Sequence, residues 1–544
     1  MTGAQAIVAC MKQENITKVF CVPGESYLPV LDALHDEDSM EVITARHEGG
    51  AAFMAESYAK STLKPGVVMA TRGVGASNLA IGVHTAMQDS TPVVVLLGQV
   101  HSKFSGREGF QEVDLVHYFQ PISKWTVEIK DADRIPELVQ RAFRIAKSGR
   151  PGPVVISLPE DVLPEVAEMR IGPVAEKPKP APSEEEIEKT AAMLNGARQP
   201  VIIAGGGVKA AGAEELLAKF STRCKLPVLA AFRRHDVIDS KHEMYAGHLG
   251  LGLSPTIRQT VKEADLILVL GSRLSEVTTQ DYGLIEASQK MIHIDIDANT
   301  LGKVYAPDVG IVADMKEALL KLLQMDISVT WGDWAAATHD SYKQTCVLQV
   351  SKNDVLNKFV IAELAEKLPK NALLTNDAGN FAGWMHRYYP FRTTHSYVGP
   401  TSGAMGYGMP AALGAKLAFP HKTVVSLSGD GGFMMTVSEL ETAVRHQIHI
   451  IAIVFNNQMY GTIRMHQEMH YPERTIATDL GRVSFVQLAE SMGAKGCLVT
   501  TRKDFSEAFD EALHSDCCTV IEVMTNPEQI SVSATIADIR SKKK

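Results

Sequence analysis

Short runs of branched apolar residues, each closed by small or polar residues, recur along the chain. They are VVMAT (67–71), PVVVLLG (92–98), PVVISL (153–158), PVIIAGGG (200–207), LILVLGS (266–272), MIHIDID (291–297), TVVSLSGDG (423–431) and HIIAIVFNN (449–457). The apolar positions are continuous rather than alternating, which predicts strands buried on both faces. Stretches of helical character separate these runs. The predicted fold class is therefore α/β, built of doubly wound parallel sheets covered by helices.

Two breaks interrupt the pattern. Residues 172–183 (GPVAEKPKPAPS) hold four prolines and predict an extended linker. Residues 327–354 lose the strand–helix alternation and carry two of the four tryptophans. Three domains follow, at 1–170, 184–325 and 355–530, as expected for 544 residues. The outer two echo each other. Residues 67–99 and 424–458 both read strand, Gly-x-Gly turn, helix, strand.

Composition narrows the classes of function. Net charge is −9 with basic residues dispersed, which leaves no nucleic-acid footprint; the cluster Lys542–Lys544 reads as a solvated tail. The seven cysteines are scattered without a CxxC pair, so neither a disulfide framework nor a zinc site is indicated. The first 20 residues lack the layout of a signal peptide, and no apolar run approaches the roughly 20 residues needed to span a bilayer. A cytoplasmic protein without membrane association is expected.

The densest chemistry lies in the third domain. TVVSLS predicts a strand ending at Gly429-Asp430-Gly431-Gly432, followed by a helix on which Thr436 and Glu439 fit a capping box. The next strand ends at Asn456-Asn457. Asp430 and Asn457 then stand at the carboxyl ends of two strands joined by one crossover, where open parallel sheets bind ligands. A carboxylate, an amide oxygen and a nearby main-chain carbonyl suit Mg²⁺ and leave room for phosphate oxygens. Gly431 and Gly432 let backbone N–H groups approach phosphate with no Cβ between. Gly-Asp-Gly alone is an ordinary strand-to-helix turn; the Asn-Asn one crossover later makes it specific.

This segment resembles the thiamine-diphosphate motif, and the resemblance extends over essentially the whole chain to the acetolactate synthase and 2-oxo acid decarboxylase superfamily. It implies thiamine diphosphate and Mg²⁺ as cofactors, the Met459 carbonyl as third metal ligand beside Asp430 and Asn457, and the backbone at Met459, Tyr460 and Gly461 along the diphosphate. In EVITARHEGGAAFMAESYA it implies that Glu48 is the activating acid. Its carboxyl hydrogen-bonds the aminopyrimidine, favours the imino tautomer and so prepares removal of the thiazolium proton. Such a glutamate is expected in an apolar pocket. GPTSGAMGYGMPAALGAKLA resembles the segment that holds the cofactor bent, with the Gly403 carbonyl accepting from the amino group and Met405 under the thiazolium ring. Gly379-Asn380-Phe381 stands where synthases carry Gly-Gln-His against the diphosphate; Asn380 can donate there and Phe381 cannot. Because Glu48 and Asp430 lie on different domains, the family closes each site between two subunits. A homodimer or homotetramer is implied.

GQVHSKFSGREGFQE is similar to acetolactate synthases, with Phe110 and Gln111 at their active-site pair. Three departures stand against that template. Val277, in GSRLSEVTTQ, replaces an arginine that meets substrate and FAD, so FAD is expected to be absent. His466 replaces the tryptophan that selects the second substrate. In FCVPGESYL, Glu25 occupies a position that is small in synthases and acidic in pyruvate-type decarboxylases. The resemblance thus implies decarboxylation of a small 2-oxo acid and ligation of the remaining fragment to an aldehyde or ketone, with Glu48, Glu25 and Gln111 as catalytic residues. The alternative is a decarboxylase that releases an aldehyde. A dinucleotide-binding oxidoreductase, suggested by Gly205-Gly206-Gly207 and HIDID, lacks the GxGxxG fingerprint.

Overall fold

The computed structural model describes residues 1–351 and 354–541; Lys352 and Asn353 in the second break, and the tail Lys542–Lys544, lie outside the described residues. All eight apolar runs become strands of three six-stranded sheets. Every described strand pair is parallel.

The first sheet runs Glu41–Thr44, Lys18–Cys21, Gly66–Thr71, Val93–Gln99, Val154–Pro159, Trp125–Glu128. The third runs Tyr397–Val398, Leu373–Asn376, Val424–Gly429, Ile451–Asn456, Thr519–Met524, Lys495–Val499. Numbered by chain position within each sheet, both orders are 2-1-3-4-6-5. The internal echo seen in the sequence is thus a whole-domain likeness, and the echoing segments are strands 3 and 4 of each. The central sheet, from Pro200–Ala204 to Val309–Val312, has the order 6-5-4-1-2-3, which is the dinucleotide-fold order read from its other edge.

Burial explains why the apolar runs are unbroken. Val93–Gln99 and Pro200–Ala204 are buried at every position. At about 1.5–3 kcal/mol per fully buried branched side chain, such strands fix the sheet. The outer domains also share a core: Phe53 and Leu79 of the first pack with Tyr407, Leu413 and Phe433 of the third.

Residues 172–183 carry no helix or strand, as the prolines predict. The second break is more ordered than its composition suggests. Helix Gly332–Thr345 occupies it, and both tryptophans dock on the central domain. Buried Trp331 donates Nε1–H to the Cys224 and Lys225 carbonyls at 3.0 Å, and Trp334 to Pro200 at 3.2 Å. Among the described residues no helix is long and apolar enough to cross a membrane.

Candidate active site at two sheet edges

Asp430 opens helix Asp430–Met435 directly after strand Val424–Gly429. Its carboxylate is buried, and no cationic side chain pairs with it among the described residues. Burial pushes its pKa up to about 6, against the opposing pull of the Gly431 N–H, donated at 3.0 Å, and of backbone N–H groups at Gln458 and Met459. A buried carboxylate without a counter-charge is costly unless a cation joins it. Asn457 follows strand Ile451–Asn456 on the neighbouring strand end, and its Oδ1 accepts from the Met459 N–H at 3.3 Å. The Met459 carbonyl accepts from Gly461 N–H at 2.9 Å, and its second lone pair stays available. One carboxylate, one amide and one carbonyl oxygen form a donor set that fits Mg²⁺ when phosphate oxygens complete it.

The two glycines have a further reason to be small. A Cβ on Gly431 would lie 2.6 Å from the Tyr460 ring, and one on Gly432 would lie 2.5 Å from Asp377 Oδ2. Asp377 is itself buried, with its pKa raised to about 6 by burial, and its Oδ2 has no hydrogen-bond partner.

The segment 403–406 docks on this turn. Thr436 Oγ1 donates to the Gly406 carbonyl at 2.9 Å, and Ala378 N–H to the Ala404 carbonyl at 3.2 Å. Gly403 adopts φ +72 with open space beside it, and Met405 is half-buried. Asn380 departs from its expected role. Its amide nitrogen is committed to the Ile530 carbonyl at 2.9 Å and Met465 Sδ at 3.5 Å, and its Oδ1 accepts from Thr462. Phe381 stacks on Phe455 instead of facing a polar group.

The capping box does not form. Helix Glu439–Arg445 has Ser438 at its N-cap, and the buried Glu439 carboxylate reaches the first domain instead. It accepts from the Arg46 N–H at 3.2 Å, the His47 N–H at 2.9 Å and Thr442 Oγ1 at 2.6 Å. Arg46 and His47 stand immediately before Glu48, so a residue of the third domain anchors the loop that carries the candidate acid. Glu48 begins helix Glu48–Thr62, where His47 Nδ1 caps Gly49 N–H at 3.0 Å. The expected apolar pocket is not closed within one chain: Glu48 is half-buried and accepts from Asn78 Nδ2 at 2.9 Å.

The other two catalytic candidates meet at the helix that holds Asn78. Arg72 begins helix Arg72–Asp89, and Gly73 N–H donates to the Gln111 carbonyl at 2.9 Å. Arg72 pairs with Glu25 at 3.2 Å, and a Cβ on Gly75 would lie 3.2 Å from Glu48 Oε1. Glu48, Glu25 and the Gln111 backbone therefore gather around its first two turns. Arg72 and Asn78 carried no site signal in the sequence, and Glu439 carried only that of a local cap.

In the central domain, Gly205-Gly206-Gly207 closes on its own fold. A Cβ on Gly205 would lie 2.2 Å from the Gly271 carbonyl oxygen, and Arg234 covers Gly206. Val277 lies on the short helix Glu276–Thr279 behind Ser275. His466 is exposed and stacks on His470.

Two domains of one strand order flank a third of dinucleotide-fold order, and this three-domain layout is that of the thiamine pyrophosphate enzymes. Family models agree. The thiamine pyrophosphate enzyme N-terminal domain matches residues 1–118, the central domain 187–322 and the C-terminal domain 377–523. The chain is 34% identical to a probable acetolactate synthase large subunit of Methanocaldococcus jannaschii, over 97% of this chain and 93% of that protein. It is 34% identical to the acetolactate synthase isozyme 1 large subunit of Escherichia coli, covering 97% and 94%, and 35% to the large subunit of Lactococcus lactis, covering 91% and 87%. The chain belongs to the three-domain thiamine pyrophosphate enzyme family and is acetolactate synthase-like.

Proposed function

We propose that this enzyme decarboxylates a small 2-oxo acid and ligates the remaining fragment to a second carbonyl compound. The carrying observation is the convergence of Glu48, Glu25 and the Gln111 segment at one sheet edge, in a chain that resembles acetolactate synthase large subunits along nearly its whole length. When bound, thiamine diphosphate supplies a carbon nucleophile and a sink for the charge left by loss of CO₂. Asp430, Asn457 and the Met459 carbonyl would hold Mg²⁺ beside the diphosphate, Met405 would support the thiazolium ring, and the Gly403 carbonyl and Glu48 would fix the aminopyrimidine. Glu48 holds the proton at the ring nitrogen that sets its tautomer.

The site is completed by a second copy of the chain. Support comes from the large apolar side chains left exposed on the site-bearing elements: Val74 (52%), Ile81 (45%), Phe110 (74%), Met434 (47%) and Met435 (52%). Together with half-buried Glu48 they mark surface that a partner covers.

Glu25 distinguishes ligation from simple decarboxylation. Its side chain is 68% exposed, and the buried Arg72 keeps its second carboxylate partner, Glu160, when Glu25 is replaced, so the substitution reports on chemistry. If Glu25 protonates the fragment left by decarboxylation, Glu25→Gly shifts product from released aldehyde toward ligated hydroxyketone. If it orients the acceptor carbonyl, ligation falls and decarboxylation persists; this is the outcome the proposal predicts. Aldehyde and hydroxyketone are quantified together from one 2-oxo acid, with and without added aldehyde. An unchanged ratio at an unchanged rate removes Glu25 from the site.

The purified enzyme is expected to be colourless and to work without FAD. Val277 brings no charge to the flavin region, and Gly205 and Gly206 are closed over by Gly271 and Arg234. The visible absorption of the purified protein, where an oxidised flavin shows its yellow bands, checks this. Stoichiometric flavin would refute it.

A further inference from the structure

Arg72 is built into the first domain in a way that helix formation does not require. It begins helix Arg72–Asp89 at φ +39, in a left-handed conformation that non-glycine residues rarely adopt. Its guanidinium is buried, although arginine is seldom placed so without partners. Nη2 donates to Glu160 Oε2 at 2.8 Å, and Nη1 meets Glu25 Oε1 at 3.2 Å and the Phe110 carbonyl at 3.5 Å. Nε is buried without a hydrogen-bond partner. The next residue, Gly73, holds the Gln111 carbonyl through its N–H. One buried side chain on a strained backbone, with the glycine that follows it, thus ties together two segments, 25 and 110–111, that are far apart in sequence.

Neighbouring contacts fix the same arrangement from the other side. Ser26, adjacent to Glu25, bonds Thr71 hydroxyl-to-hydroxyl at 2.7 Å, and Thr71 precedes Arg72. Gln111 itself sits at φ +65, so its loop is strained as well. A pair that served stability alone would not need two strained residues and an unsatisfied buried N–H. Observed strain at a candidate site points toward function.

We propose that Arg72 is a positioning residue: its planar fork sets the Glu25 carboxylate against the Phe110–Gln111 segment, so that the two act on the reacting carbonyls as one unit. Lysine, a point charge, cannot span two carboxylates and a carbonyl in the same plane. The inference rests on the carboligation reading for its catalytic consequence; the clamp itself does not.

The test compares wild type, Arg72→Met, Glu25→Gln and the double variant as full-length enzyme. Hydrogen exchange over residues 105–113, measured without substrate, rises in Arg72→Met while exchange in the remaining sheet strands stays unchanged. With 2-oxo acid and aldehyde, Arg72→Met shifts the hydroxyketone-to-aldehyde ratio in the same direction as Glu25→Gln. The double variant goes no further than the stronger single one, a coupling on the order of 2- to 100-fold for residues in contact. Arg72→Lys keeps the buried charge and serves if the methionine variant does not fold; it shows the same exchange and the same ratio shift. Unchanged exchange at 105–113 overturns the clamp. Multiplicative effects of the two substitutions, or a raised KM at an unchanged product ratio, overturn the coupling. A wild type that forms neither product from any 2-oxo acid sinks the carboligation reading, and the exchange result then judges Arg72 alone.

Discussion

Asp430→Ala abolishes Mg²⁺-dependent binding of thiamine diphosphate and leaves the fold intact. The carboxylate is the one charged member of the proposed ligand set, and without it the amide of Asn457 and the Met459 carbonyl face the cation alone. Losing even an outer-shell partner of a metal costs about 10–100-fold in affinity, so loss of this ligand exceeds about 100-fold. Stability behaves differently. Burial holds the Asp430 pKa at about 6, above that of an unfolded aspartate, so in the metal-free protein the ionised group opposes folding at neutral pH. The alanine variant therefore unfolds at the same temperature as metal-free wild type or a higher one. Calorimetric titration of cofactor with Mg²⁺, beside thermal unfolding of both metal-free proteins, checks the two statements. Undiminished cofactor affinity defeats the metal-site assignment.

Glu48→Gln binds cofactor and turns over about 10²–10⁴-fold more slowly, the range of a general acid–base group. Glutamine keeps the shape and the hydrogen bond from Asn78, and it loses the proton that sets the pyrimidine tautomer. Proton exchange at the thiazolium carbon, followed by NMR under quench conditions, isolates that step from substrate binding; a wild-type exchange rate would remove Glu48 from it. The variant also tests the proposed assembly. Each site of a dimer would take Glu48 from one subunit and Asp430 from the other. Co-folding Glu48→Gln with Asp430→Ala then regenerates one intact site per mixed dimer, and activity returns. No recovery at confirmed mixing would place both residues in one subunit's site.

How much of this was legible before the structure follows from the range of each interaction. Strands buried on both faces announce themselves through local composition, so the eight runs and the parallel sheets were plain. The placement of Asp430 and Asn457 at two strand ends was plain too, because a strand end, one helical crossover and a second strand end have a fixed reach along the chain. The identical strand order of the outer domains showed only as a faint echo, since strand order depends on pairings the sequence does not spell out. Glu439 was misassigned to a local cap: its spacing from Thr436 fits one, yet the Arg46 and His47 N–H groups almost 400 residues earlier hold it instead. Arg72 was invisible for the same reason. Nothing within a few residues of it reveals that Glu25, Glu160 and Phe110 converge there. Asn380 shows the converse, a donor by type whose protons the fold directs to Ile530 and Met465.

The most direct measurement follows carbon through the reaction. Wild-type enzyme, supplied with Mg²⁺ and thiamine diphosphate and given a ¹³C-labelled small 2-oxo acid with an unlabelled aldehyde, is monitored by NMR. With the label at C2 of the oxo acid, ligation predicts a hydroxyketone whose carbonyl carbon carries the label beside the unlabelled acceptor carbon, formed only when both Mg²⁺ and thiamine diphosphate are present. Labelled aldehyde as the sole product, in the presence of excess acceptor, would contradict it.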